Sequence, residues 1–187
     1  MALERKDPQA LPSVQTFLVD EFEREAARSR RALEGVPDGH TDWKPHPQSM
    51  NFGYLTELVA TMPTWVVMQL QLEELDIAPA GGSSIVREPL PTRDSLVAAL
   101  DKHVIKAREA LGAATADRLC EPWRLKARGQ VVDQGPRFAM IQDTLNHWSH
   151  HRGQLTVYLK LLGAPVPALY GPSSDDRSFG VLVSTSS

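Results

Sequence analysis

Pro136-Arg-Phe-Ala-Met-Ile-Gln-Asp-Thr-Leu-Asn-His-Trp-Ser-His-His-Arg-Gly-Gln-Leu-Thr-Val-Tyr-Leu-Lys-Leu-Leu-Gly163 is the stretch on which the fold turns. Ile141, Leu145, Trp148, Leu155, Leu159 and Leu162 recur at steps of three and four, so a helix places them on one apolar seam. Gly163 follows the last seam residue, where a left-handed residue commonly ends a helix. The spacing predicts one helix from about Pro136 to Leu162, the longest in the chain, with a seam that other helices must cover. Arg152 falls on the same line, where a buried face wants an apolar residue or a paired charge.

Upstream, the same period predicts the partners. From Leu11 to Leu33, Val14, Leu18, Phe22, Ala26 and Leu33 share a face, while Asp20 with Arg24 and Glu25 with Arg28 pair on another. The loop Gly35 to Gln48, with Pro37, Pro45, Pro47 and two glycines, must stop that helix. Leu55, Leu58, Met62, Trp65, Gln69 and Leu72 give a second seam lasting to about Ile77, bent by Pro63 beside Leu58. After a loop from Ala78 to Pro91, Thr92 is a natural N-cap for a third helix, with Asp94 in its first turn. Leu96, Leu100, His103, Ala107 and Leu111 continue its buried stripe, which turns His103 inward. Leu119 to Gly135 lacks a helical period and reads as extended strands or an irregular crossover around Gly129. The fold class expected is therefore all-α: a four-helix bundle with long crossover connections, so that neighbouring helices need not all be antiparallel.

A chain of 187 residues buries a sufficient core as one domain, here 1–187, with the bundle over about 11–163 and an extended tail over 164–187. With 20 Lys and Arg against 23 Asp and Glu, the net charge of -3 gives no electrostatic reason to gather on nucleic acid or anionic lipid. The one cysteine, Cys120, cannot form an internal disulfide and reads as a lone, partly buried thiol. The first residues lack the apolar core of a signal peptide, and no stretch reaches the roughly 20 apolar residues needed to span a bilayer. A cytoplasmic protein with no membrane and no nucleic-acid partner is the expectation.

The chemistry-bearing residues cluster in the opening stretch. His147 and His151, four apart, project from one face of a helix one turn from each other. Two such imidazoles can grip one zinc, nickel, copper or iron(II) ion without ordering a loop, although two ligands alone bind weakly. The plainer reading is that these histidines pair with carboxylates. His150 lies off the line and reads as a surface or interface residue. Asp143, one turn before His147, is placed to orient a ligand or coordinate directly, or simply to be solvated. His40 and His46, in the proline-rich loop, read as surface residues. No nucleophile elbow and no phosphate-binding glycine loop is present.

The string from His147 through Tyr170-Gly-Pro-Ser-Ser-Asp-Asp176 is similar to the last helix and tail of DinB-family (DinB/YfiT-like) proteins. Pro47-Gln-Ser-Met-Asn-Phe-Gly-Tyr-Leu-Thr-Glu-Leu-Val-Ala-Thr-Met-Pro63 resembles their loop and second helix, so the likeness covers most of the chain. The resemblance implies a four-helix bundle, often dimeric, that holds a divalent metal with three histidines: a His-x-x-x-His pair from the last helix, matched by His147 and His151, and one from the second helix. The third falls at Leu58. A catalytic metal usually keeps three protein ligands and an open water position, so zinc or nickel occupancy is in doubt and loss of the site is the leading expectation.

His103 is the best-positioned substitute by pattern, its alternative being a hydrogen-bonded buried histidine; Glu57 points about 100° away from Leu58 on a regular helix. The tail, with Tyr170, is expected to pack back over the bundle, its aromatic covering core and its acids exposed. The first functional reading is a degenerate, non-catalytic or ligand-binding dimer, a stress-related module with a small molecule in the bundle cavity. The rival is a metal-dependent transferase or hydrolase with a replacement ligand such as His103. A third is a helical partner-binding protein with a fortuitous histidine cluster.

Overall fold

The computed structural model describes residues 11–82 and 89–178. Helix α1 spans Val14–Glu34, capped by the Ser13 side chain on the amide of Thr16. The predicted second helix is two: α2, Phe52–Thr61, and α3, Pro63–Gln71, which meet at Met62. Pro63 sits in the first turn of α3, where its missing N–H costs nothing, so the expected bend is a restart. Thr92 and Ser95 form a reciprocal capping box that opens α4, Arg93–Ala113. A short α5, Ala116–Cys120, leads to a pair of strands, and α6 runs Arg137–Leu161.

α6 ends as the glycine predicts. Gly163 adopts φ +72°, its amide reaches the carbonyl of Lys160, and the amide of Ala164 reaches that of Leu159 at 2.9 Å. These are the two bonds of a Schellman cap.

The architecture departs from an all-α fold in one region. β1, Glu74–Asp76, lies parallel to β2, Pro122–Ala127, which pairs antiparallel with β3, Gln130–Pro136. Arg128 and Gly129, both at positive φ, make the two-residue turn that matches strand twist. Asp76 accepts the amides of Arg128 and Gly129, which ties β1 to that turn. The second helix therefore stops at Gln71 rather than near Ile77, because Leu72 turns extended and the chain enters the sheet. Two arginines remote in sequence hold this end. The buried guanidinium of Arg137 donates to the carbonyls of Gln69 and Leu72, and that of Arg118 to the carbonyl of Leu70, where a helix presents unpaired acceptors.

The long helices share one core, with Leu18, Phe22, Leu33, Leu55, Val59, Leu100, Leu111, Leu145, Trp148 and Leu155 all buried. Arg30 meets Asp101 and Arg108 meets Glu23, so α1 and α4 run antiparallel. Trp148 meets Val59 and Thr144 meets Gln69, so α6 opposes α2–α3. Arg152 meets Glu25, and Leu159 lies by Gly35, so α1 and α6 run parallel. α4 packs on α1, α2 and α3, across the core from α6. Leu75, Trp123 and Met140 form a satellite cluster beneath the sheet.

Part of the loop expected at Ala78 to Pro91 and the tail beyond Ser178 lie outside the described residues. Cys120 is exposed, not partly buried, because α5 lies at the surface and directs Leu119 inward. Val14 also departs from its seam and is exposed at the start of α1.

Candidate functional site: the histidine pair of helix α6

α6 sets the site because its seam is fixed on three sides. The indole of Trp148 donates to the carbonyl of Val59 at 2.8 Å, adjacent to Leu58 on α2. Gln69 on α3 donates to Thr144 and to the carbonyl of Met140 in the buried interface one turn earlier. Tyr158, further on, donates to the carbonyl of Met50 and stacks edge-on against Trp43. With the helix so held, helical phase puts His147 and His151 on the flank of α6 that carries Tyr158, whose hydroxyl reaches the carbonyl of Met50 just before α2.

His147 is exposed and His151 buried. Their Nε2 atoms stand 2.7 Å apart, and Nδ1 of His151 stands 2.8 Å from the Gln154 amide oxygen. An amide oxygen only accepts, so Nδ1 of His151 carries its hydrogen and its Nε2 keeps a lone pair. His147 then donates from its own Nε2, leaving its Nδ1 as the open acceptor. Lost hydration pushes both imidazoliums below their ordinary range, that of His147 even though the residue is exposed; the charges of His151 and His150 add to this for His147, whereas the Gln154 bond opposes it for His151. Both rings are thus neutral at physiological pH, the form that binds protons or metals.

The rest of the predicted constellation does not gather here. Leu58 is 8% exposed and belongs to the hydrophobic core. His103 is half-buried on α4, with its imidazolium destabilised first by burial and then by Lys102 and Lys106. Asp143 is exposed, and Glu57 accepts the amide of Leu90. Among the described residues no three His, Cys, Asp or Glu side chains are grouped to hold a metal. The residues present therefore do not supply a three-histidine centre: they offer two imidazoles, already bonded to each other. His40 and His46 are exposed, as their loop position suggests.

A second polar cluster lies on the opposite flank of α6. Arg152 is fully buried and Glu25 nearly so, at 0% and 2% exposure. Arg152 donates to Glu25, to Ser29 Oγ at 2.9 Å and to the hydroxyl of Tyr170. That hydroxyl donates to Glu25 at 2.7 Å and lies 2.8 Å from Ser149 Oγ. Arg152 is the paired charge its seam position called for. Its partner is Glu25 of the expected surface pair, which reaches Arg28 as well while being buried. Arg24 pairs with Glu21 rather than Asp20. Pattern reading gives Gln154 no role and puts the Glu25–Arg28 pair on the surface, where the pair forms but Glu25 is buried. The signals were available: Gln154 is three residues from His151, and Glu25 sits between Phe22 and Ala26 on the seam of α1.

The tail corrects a further expectation. The Tyr170 ring is largely exposed, with the Arg28 guanidinium 4.2 Å from its centre, and its hydroxyl rather than its ring reaches inward. The tail acids do lie at the surface, Asp175 exposed and Asp176 half-buried, but both are engaged: Asp176 pairs with Arg31 and accepts the amide of Ala168, and Asp175 pairs with Lys160.

The family model for the DinB family matches residues 15–178. A DinB-like protein (YjoA) of Bacillus subtilis is similar in structure at TM-score 0.59 and 18% identity, over 79% of this chain and 92% of that one. A DinB-like protein of Bacillus cereus gives 0.62 and 18%, over 82% and 95%. A putative DinB-family member from Exiguobacterium sibiricum gives 0.59 and 16%, over 82% and 95%. In sequence, the uncharacterized protein YrdA of Bacillus subtilis is 37% identical over 52 residues, which span 27% of this chain and 31% of that protein. The match extends from α1 to the tail, and on that ground the chain belongs to the DinB family.

Proposed function

We propose that this chain is a DinB-type four-helix bundle, one domain, in which His147 and His151 are the remnant of a metal site, and that it works as a non-catalytic, ligand-binding homodimer rather than as a metalloenzyme. The observation that carries the reading is Leu58. At the position where the family likeness puts a third histidine stands a core leucine, and its burial exchanges a ligand for packing. The bonding of the pair supports it: the lone pair of His151 that would face a metal is taken up by His147. Two imidazoles bind zinc or nickel weakly, and a catalytic ion also needs an anchored third ligand. Metal analysis of the purified protein beside His147→Ala tests the reading. Substoichiometric metal, unchanged by the substitution, is expected; one zinc or nickel per chain, lost in His147→Ala, overturns it. Light scattering at micromolar concentration tests the dimer separately.

A further inference from the structure

The tail and the seam between α1 and α6 are complementary in a way the histidine pair does not explain. Four cations stand along that seam, and the tail supplies a partner to each. Tyr170 engages Arg28 through its ring and Arg152 through its hydroxyl; Asp176 takes Arg31 and Asp175 takes Lys160. The two acids also organise the tail itself, accepting the amides of Val166 and Ala168. The apolar contact between the tail and the rods is modest: among its described residues only Ala164 and Ala168 are buried, with Val166 half-buried against the core. Such a segment is held by polar catches and can lift while the helical core stays folded.

We propose that residues 164–178 are a releasable strap, and that the α1–α6 seam beneath it is a recognition surface for an acidic, tyrosine-bearing peptide segment, with the strap as its intramolecular occupant. The inference is independent of the metal reading, because strap and histidines lie on opposite flanks of α6. Exposed ion pairs hold loosely and weaken with salt, so Asp175 and Asp176 set register. The Tyr170 hydroxyl is the tail's deepest catch, bonded to both members of the buried Glu25–Arg152 pair, while the two acids hold the tail's own turns and its ends to α1 and α6.

Hydrogen exchange on the full-length chain, wild type against Tyr170→Phe and against Asp175→Asn with Asp176→Asn, tests the strap. Exchange over residues 166–178 should rise about tenfold in both variants, with segments of α1 and α6 changed less than about twofold. A fluorescent peptide with the sequence of residues 164–178 should bind Tyr170→Phe about tenfold more tightly than wild type, and the peptide with both acids as Asn should lose that gain. Unchanged exchange in both variants overturns the proposal. So does exchange that rises equally in α1 and α6, or a peptide that binds wild type as well as it binds the variant.

Discussion

At position 58 one side chain separates two chemistries, and the physical argument runs in both directions. Leucine there contributes roughly 2 kcal/mol of burial to the core. A histidine would place a polar ring at an apolar position and cost about 1–3 kcal/mol unless its nitrogen found a partner. The family likeness sets position 58 with His147 and His151, so Leu58→His should lower the melting temperature without metal and recover much of the loss when zinc is added. The check is a thermal melt with and without zinc, paired with calorimetric titration. A second residue-scale test concerns Arg152. Replacing it by Met leaves Glu25 buried with the half-buried Arg28 and the Tyr170 hydroxyl as its partners, and removing one partner of a buried pair costs about 3–5 kcal/mol. Replacing both Glu25 and Arg152 by Leu and Met should restore most of that stability in chemical denaturation, because the uncompensated charge is gone.

Among the elements, the long helices were legible because each buries a stripe at helical spacing: α4 begins at its predicted cap and α6 runs within a residue of its predicted bounds, whereas the five-residue α5 is too short to show a stripe and overlaps a span read as extended. What pattern could not show is what distant partners impose. β1 is three residues long and exists because it pairs with residues fifty positions later, so nothing local marks it. The end of α3 is held by Arg118 and Arg137, which no window around Leu72 contains. The histidine pair was legible from its spacing, whereas its Gln154 tether and the Glu25–Arg152 pair required the packed geometry. Glycines give an element-scale prediction with opposite signs. A methyl at Gly53, in the first turn of α2, would sit 3.0 Å from the Thr41 carbonyl oxygen and 3.1 Å from Thr41 Cβ, with the Gly53 amide already bonded to that carbonyl. Gly53→Ala should therefore cost about 1–2 kcal/mol, a fall of roughly 3–6 °C in melting temperature. Gly153, inside α6 and facing open space, should do the reverse: Gly153→Ala gains about 0.5–1 kcal/mol of helix propensity.

For the whole molecule, α1 and α6 run parallel with no short loop between them, and the buried Glu25–Arg152 pair spans their seam. That makes stability depend on groups whose charge pH controls. Glu25 is held below the ordinary carboxylate range: burial works against this, but the bonds from Arg152, Tyr170 and Arg28 outweigh it. Glu23, Asp175 and Asp176 are also held low, chiefly by bonds from Arg108, Lys160 and Ser178 respectively. The unfolded chain therefore binds more protons than the folded one as pH falls below about 4.5, and stability is progressively lost there. His103 acts with the same sign at higher pH, alongside His147 and His151. Its imidazolium is disfavoured in the fold, mainly by burial, so stability present above about pH 6.5 is lost as pH drops through that value toward its lowered folded one. The melting temperature should thus fall in two stages on acidification, a shallow one beginning near pH 6.5 and a steep one below about 4.5. Scanning calorimetry from pH 8 to about pH 3 should show His103→Asn with a reduced upper stage and an intact lower one, and Glu25→Gln with the converse. A single stage, or two stages that neither substitution alters, would show that the charges of the α1–α6 seam and of α4 do not govern how this fold comes apart.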